Sequence, residues 1–503
     1  MMIKKIVILG GGTAGWLTAN HLGSALKSRG FEITLIESPN IPTIGVGEGT
    51  VPAIRKSLRS FGVSESEFIK ECDVTFKQSI KFVNWLDKNA HGENHYHHLF
   101  DHPEIFGEGL IDNWLSTKQS DSFANYVSKQ EQSCEKNLAP KLITTPEYAG
   151  INGYAYHFDA KKFAAFLGKH AVNHFSIKHE LMEITDAELD CDGFITHLVT
   201  SKGDKVNCDL IVDCSGFKST ILGDKLGISF HDRSVDLLTD TALTIQVPTS
   251  DKVEIPPYTL ATAHKAGWIW DITLTQRRGV GFVYSSKHMS EGEARGKLAK
   301  YLGLDDISPR KIPMKVGQRE QFWHKNCVAI GLSQGFVEPL EATAILIADF
   351  SADLLSKRFP VCRDDICFIA DDFNKIIKLV WDKTFDFIKM HYCISDRTDS
   401  PFWLANKDIS SSTLTELKKN LTKWGRYGPM KEDFQSKFDL FDYENYLYVL
   451  YGMKYLPKNR IGSEYPDDKL FEMKKIKTQQ IVNELPQHRE LLDKIKQYGL
   501  QSV

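Results

Sequence analysis

The chain has 503 residues, of which 42% are hydrophobic and 25% charged, with 62 basic against 65 acidic side chains for a formal charge of −3. That balance describes a globular protein able to bury a substantial core, and it excludes a global field for nucleic acid or an anionic membrane, so an anionic ligand needs a local site. Nine scattered cysteines with no Cys-x-x-Cys pair, no leader-like N-terminus and no apolar run of bilayer length predict reduced thiols, no structural disulfide or zinc site, and a cytoplasmic location.

The first element is a buried parallel strand, Ile3 and Ile6-Val7-Ile8-Leu9, followed by Gly10-Gly11-Gly12-Thr13-Ala14-Gly15 and a helix with apolar positions at Trp16, Leu17, Leu22 and Leu26. Gly10, Gly12 and Gly15 form the Gly-x-Gly-x-x-Gly turn, which lets the backbone approach a pyrophosphate at a helix N-terminus. The second strand, Ile33-Thr34-Leu35-Ile36, ends in Glu37, 22 residues beyond Gly15, where a ribose-hydroxyl acceptor belongs. An acid there favours an adenosine ribose without a 2′-phosphate.

Residues 61 to about 150 read as helix mixed with aromatic and histidine-rich loops, His95-Tyr96-His97-His98 among them; with no second ligand cluster at metal-site spacing, a polar loop is the expectation and no metal is predicted. Two later runs, Asp209 to Gly216 and Cys327 to Leu332, read as further strands of the first sheet. Such separated returns favour an FAD-type fold over an NAD-type one. From about 231 to 320 the alternation in Leu243-Thr244-Ile245-Gln246-Val247 and the run Gly281-Phe282-Val283-Tyr284 predict an inserted antiparallel sheet walling a substrate chamber, and after about 360 the periodicity is helical. The predicted class is α/β: a Rossmann-like FAD-binding core over 1–360 and a mostly helical, substrate-covering region over 361–503.

Several separated segments carry a family resemblance: Gly10 to Trp16, Ile41-Pro42-Thr43-Ile44-Gly45-Val46-Gly47-Glu48, Phe76-Lys77, Phe82-Val83-Asn84-Trp85, Gly267-Trp268-Ile269-Trp270, Phe336 to Glu341, and Ser400 to Asn406. In them, and in their order, the chain resembles the flavin-dependent tryptophan halogenases. The resemblance implies a two-component enzyme: a separate reductase supplies reduced FAD, which with oxygen and chloride or bromide yields hypohalous acid that halogenates an electron-rich arene such as an indole. It implies Lys77 and Glu341 as catalytic residues, with Lys81 and Glu338 as neighbouring decoys. The flavin site would take in Gly10, Gly12, Thr13, Ala14, Gly15, Glu37, Gly45, Val46, Gly47, Glu48, Leu332 and Ile345; the halide would lie at Thr343 and Ala344, the substrate at His98 and Phe100, and Trp268 and Trp270 beside the flavin. A monomer or homodimer is expected.

The chain departs from the family pattern at three places. Thr273 stands where the tryptophan motif ends in proline. Ala342-Thr343-Ala344 replaces Ser-Thr-Gly, and since alanine resists the positive φ that glycine tolerates, an altered halide loop is expected, one that would shift halide preference, for instance toward bromide, while chloride and bromide both stay open. The stretch from Phe441-Asp442-Tyr443-Glu444 to Leu456-Pro457 is short, which predicts a more open chamber suited to indole, another arene, or a larger or carrier-bound substrate. Two rival readings stand beside this one: a flavin-dependent aromatic monooxygenase, which gives Lys77 no role, and a non-catalytic flavin-binding protein.

Overall fold

The computed structural model describes residues 2–40, 47–103, 107–117, 121–459 and 468–502. Lys5–Leu9 is buried at four of its five positions and pairs in parallel with Glu32–Glu37 on one side and Leu210–Asp213 on the other. Cys327–Ala329 and Lys178–Leu181 extend this parallel sheet outward, and Trp323–His324 closes one edge antiparallel. Strand alternation divides the side chains between two cores. Ile6, Ile8, Leu35, Leu210 and Val212 face the helices Thr13–Leu26, Ala160–Phe175 and Thr343–Lys357, whereas Val7, Leu9, Ile36, Ile211 and Ala329 pack against the small antiparallel sheet of Ile184–Leu189, Ile195–Thr200 and Lys205–Asn207.

A seven-stranded sheet stands beside this core in the order Arg310–Pro313, Thr241–Pro248, Arg277–Tyr284, Gly267–Thr273, Tyr258–His264, Ser79–Val83, His95–Leu99. Five strands come from the stretch read as an inserted sheet; the last two come from far upstream, with Ser79–Val83 parallel to Tyr258–His264. The histidine run is therefore strand, not polar loop. His97 and His98 are both buried although they point to opposite faces, because His97 meets Glu135 and His98 meets Glu341. Potential metal ligands converge, among the described residues, at His102, Asp442 and Glu444 rather than in that run.

A further short sheet packs against the seven-stranded one: Gly47–Gly49 and Thr75–Lys77 both pair antiparallel with Ala155–Asp159. Beyond residue 360 come the 28-residue helix Ile366–Cys393 and the helices Pro401–Asn406, Thr415–Tyr427, Tyr443–Gly452, Asp468–Glu484 and His488–Tyr498. Their apolar faces join the same core as the nucleotide-type sheet, from Ile6 through Phe387 to Ile495. No helix among the described residues is long and apolar enough to cross a membrane.

Candidate active site

The glycine turn is built by contact as well as by φ. Gly10 adopts φ +121°, and a Cβ there would lie 2.3 Å from the Cys214 carbonyl oxygen; at Gly15 it would lie 1.9 Å from the Gly10 oxygen. Gly12 differs in having open space where its Cβ would be. The turn therefore closes on itself at Gly15 and against the facing Cys214 backbone at Gly10, and leaves Gly12 free for a ligand. Opposite, the Asp213 carboxylate accepts from the Ser215 and Leu222 N–H groups at 3.0 and 2.9 Å and from the Ser215 hydroxyl at 2.6 Å, ordering the facing turn Cys214-Ser215-Gly216.

Between these turns opens a cavity of about 440 Å³. Gly10, Gly12, Thr13, Ala14 and Glu37 line one end of it, and Leu332, Ala344 and Ile345 another part. Glu48, Lys77 and Trp270 line it as well. Gly15 is buried inside the turn, and Gly47 begins the strand that carries Glu48. Gly45 and Val46 lie outside the described residues. Glu37 rests against Gly11, with His179 Nε2 3.1 Å from its carboxylate. A turn open at Gly12, a helix N-terminus and a half-buried acid at the end of the second strand fit the dinucleotide part of FAD.

Lys77 ends the strand Thr75–Lys77 with 1% of its surface exposed. A side chain at position 49 would meet the His157 ring at 3.2 Å, Lys77 Nζ at 3.3 Å and Thr259 Oγ1 at 3.4 Å, so glycine leaves the space in which these groups converge. His157 Nε2 is 2.8 Å from the Thr259 hydroxyl. Lys77 Nζ also stands 5.2 Å from the centre of the Phe100 ring. Burial pushes the ammonium down to about 7, against the opposing pull of the Glu341 charge. Lys81, by contrast, is ion-paired with Glu135.

Glu341 closes the turn Pro339–Glu341 just before the helix Thr343–Lys357. It does not line the cavity, but its neighbours Leu340 and Ala342 do. His98 Nδ1 lies 3.0 and 2.9 Å from its two oxygens, and His391 Nε2 lies 2.9 Å from Oε1. Burial alone would raise this carboxyl; the two histidines outweigh it and hold it below the ordinary carboxylate range. Glu338 faces elsewhere, accepting from the Thr239 hydroxyl and, at 2.6 Å, from the Tyr392 hydroxyl, and burial pushes it up to about 7.

The left-handed residue of this loop is Ala342, at φ +56°, whereas Ala344 lies inside the following helix. No positive φ is required where the family carries glycine, and the reason given above for a distorted halide loop falls away. Thr343 is buried, its hydroxyl 3.5 Å from the Glu338 carbonyl, and Ala344 is exposed toward the cavity. Trp268 and Trp270 share one face of Gly267–Thr273 with ring centres 6.2 Å apart; Trp270 reaches the cavity across Gly281, where a Cβ would lie 2.0 Å from its ring. Thr273 stays in register opposite Arg278, and its carbonyl accepts from the Thr75 hydroxyl at 3.1 Å.

Sequence reasoning missed His391, Asn445, His157, Thr259 and His488. Asn445 Nδ2 lies 3.0 Å from His98 Nε2. His488 accepts from the Phe76 N–H and donates to the Ile255 carbonyl, both at 2.9 Å. Only Asn445 carried a signal, since Asp442 and Asn445 at a helix start form a capping pair.

Comparison with known proteins agrees with this architecture. The profile of the family described as tryptophan halogenase matches residues 5–464. The chain is 34% identical to tryptophan 7-halogenase KtzQ of Kutzneria sp. over 489 residues, which cover 91% of this chain and 90% of that one. The crystal structure of a tryptophan halogenase from Shewanella frigidimarina superposes with a TM-score of 0.94 at 36% identity, covering 100% of this chain and 99% of that one. BrvH, a flavin-dependent halogenase from Brevundimonas sp., superposes with a TM-score of 0.88 at 30% identity, covering 98% and 99%.

Proposed function

The chain belongs to the tryptophan halogenase family, and from that premise we propose that it halogenates an electron-rich arene such as an indole, using reduced FAD from a separate reductase, oxygen, and chloride or bromide. The observation that carries the reading is the position of Lys77, which lines the cavity at the glycine turn while facing Phe100 and feeling the charge of Glu341. One ammonium thus touches both the space where an oxidant would arise and the side on which an aromatic substrate would lie.

Gly10, Gly12, Thr13 and Ala14 would hold the pyrophosphate and Glu37 the ribose, with Trp270, Leu332 and Ile345 against the ring system. Bound reduced flavin supplies the activation of oxygen that oxidises halide. Backbone N–H groups at Thr343 and Ala344 offer the halide a helix N-terminus. Lys77 hydrogen-bonds hypohalous acid and directs its halogen toward the ring; Phe100 and His98 wall that ring. Carbon–halogen bond formation releases hydroxide, and the ring proton leaves toward Glu341, so that arene and hypohalous acid become haloarene and water. Glu341 suits this step because a weakly screened carboxylate stabilises the cationic ring and accepts its proton.

The deciding experiment incubates the protein with a flavin reductase, FAD and each halide against a panel of indoles and other arenes, with products read by mass spectrometry. A halide-dependent haloarene is the expected product; halide-independent hydroxylation would establish the monooxygenase reading instead. Lys77→Ala is expected to lower haloarene formation at least 100-fold, on the order of a lost electrostatic catalytic group, while trapped hypohalite persists. Retained product would remove Lys77 from the mechanism.

A further inference from the structure

Two hydrogen-bond chains meet at Glu341, and following them outward fixes where the protons are. Asn445 Oδ1 accepts the Asp442 N–H at 2.9 Å, so the amide presents its NH₂ group to His98 Nε2 at 3.0 Å. His98 Nε2 is therefore an acceptor, and the ring is neutral with its hydrogen on Nδ1, donated to Glu341. His391 differs: its Nδ1 lies 2.9 Å from the Phe387 carbonyl oxygen and its Nε2 lies 2.9 Å from Glu341 Oε1. A carbonyl can only accept, which puts a hydrogen on Nδ1. The pair across Nε2 then shares one more proton, carried either by the imidazole or by the carboxyl.

The surroundings favour the imidazole. Both Glu341 oxygens accept from His98 Nδ1, at 3.0 and 2.9 Å, as two equivalent carboxylate oxygens do and a carboxylic hydroxyl does poorly. Lys77 adds a positive field on the same carboxylate. Among the described residues, the rings packed against His391 are uncharged: Phe387 on its own helix, Phe82 on Ser79–Val83 and Trp85, at centre distances of 5.1, 5.2 and 6.1 Å. Tyr96, from His95–Leu99, stacks on Phe82, and Glu338 is engaged by Tyr392 and Thr239.

We propose that His391 is a positioning residue for Glu341: an imidazolium, hydrogen-bearing at both ring nitrogens, whose charge keeps the buried carboxylate ionised and whose Nε2–H fixes Oε1. This rests on the halogenase reading for its purpose, though not for its geometry. An isolated carboxylate this deeply buried would take up a proton and could no longer receive one from the ring; a compensating cation at Oε1 prevents that, leaving Oε2 with His98 as its partner.

Histidine-selective ¹⁵N labelling of the native protein, with the His391 signals identified by their loss in His391→Gln, tests the charge directly. Both ring nitrogens are expected to be protonated at neutral pH, and Glu341→Gln should return the ring to a neutral tautomer; a neutral ring in the native protein overturns the proposal. The second arm is the pH dependence of haloarene kcat/KM. Because His391→Gln retains an N–H donor but not the charge, Glu341 should titrate higher, moving the acid limb upward by about one pH unit or more, a tenfold loss on that limb, with hypohalite formation unchanged. A uniform loss at every pH would mean that the ring only fills space. Absence of both haloarene and hypohalite in the native protein would defeat the proposed function while the ¹⁵N result still decided the charge on His391.

Discussion

Lys77 and Lys81 are four residues apart, yet the fold gives them opposite fates. Lys81 leans over the Tyr258 ring and pairs with Glu135, held down to about 2 chiefly by its hydrogen bond with His97, whereas Lys77 is sealed behind the strand pairing Lys77 to Ala155. Nothing local in the sequence separates the two lysines; the family position of Lys77 did. A buried ammonium pushed down to about 7 has a consequence for stability. Between pH 7 and the ordinary lysine range the unfolded chain binds the proton that the folded one has released, so this group makes stability rise with pH there. Lys77→Met removes that contribution. The variant should be more stable than the native protein at and below pH 7, by up to a few kcal/mol, with the advantage shrinking toward pH 10. Urea denaturation across that range measures it, and a pH-independent difference would contradict the assigned burial.

At the scale of elements, what was legible was what is local. The strand, turn, helix and second strand from Lys5 to Glu37 follow from apolar periodicity and glycine spacing within forty residues. His95–Leu99 was misread because polar residue types mask a two-residue alternation whose faces are both packed. The lysine-bearing strand depends on a partner that periodicity could not reveal: Phe76 and His488 are 412 residues apart in sequence. Burial pushes the His488 imidazole down to about 4, in keeping with a neutral ring that accepts at one nitrogen and donates at the other. His488→Phe preserves most of the ring volume but strands the Phe76 N–H and the Ile255 carbonyl. Destabilisation of about 1–3 kcal/mol per stranded group is expected. Because the affected amide adjoins Lys77, haloarene should also fall relative to trapped hypohalite. An unaltered ratio with reduced stability would limit His488 to a structural role.

Across the whole molecule, motifs spread from Gly10 to Asn406 allowed the fold class to be read before any contact was known, while the closure of the site depended on long-range packing. Helix Ile366–Cys393 carries His391 to Glu341, and the start of Tyr443–Gly452 carries Asn445 to His98, so the C-terminal helices finish a site whose cavity is lined by segments from Leu9 to Trp381. One apolar core runs without interruption through both parts, including Ile8 and Leu17 beside the glycine turn and Phe387, Leu447 and Leu491 in the late helices. Ligand binding to the folded state alone stabilises whatever unfolds with the site, by about 2.7 kcal/mol at one hundred times Kd. If the late helices unfold with the nucleotide-type sheet, oxidised FAD must protect them although they supply few of the cavity walls. Hydrogen exchange should therefore slow at core amides of Ile366–Cys393 and His488–Tyr498 as strongly as in Lys5–Leu9, and thermal unfolding should move upward as one transition. Protection confined to the glycine turn and its sheet would show that the late helices open independently, leaving Glu341 and His98 without their partners in an otherwise folded flavin site.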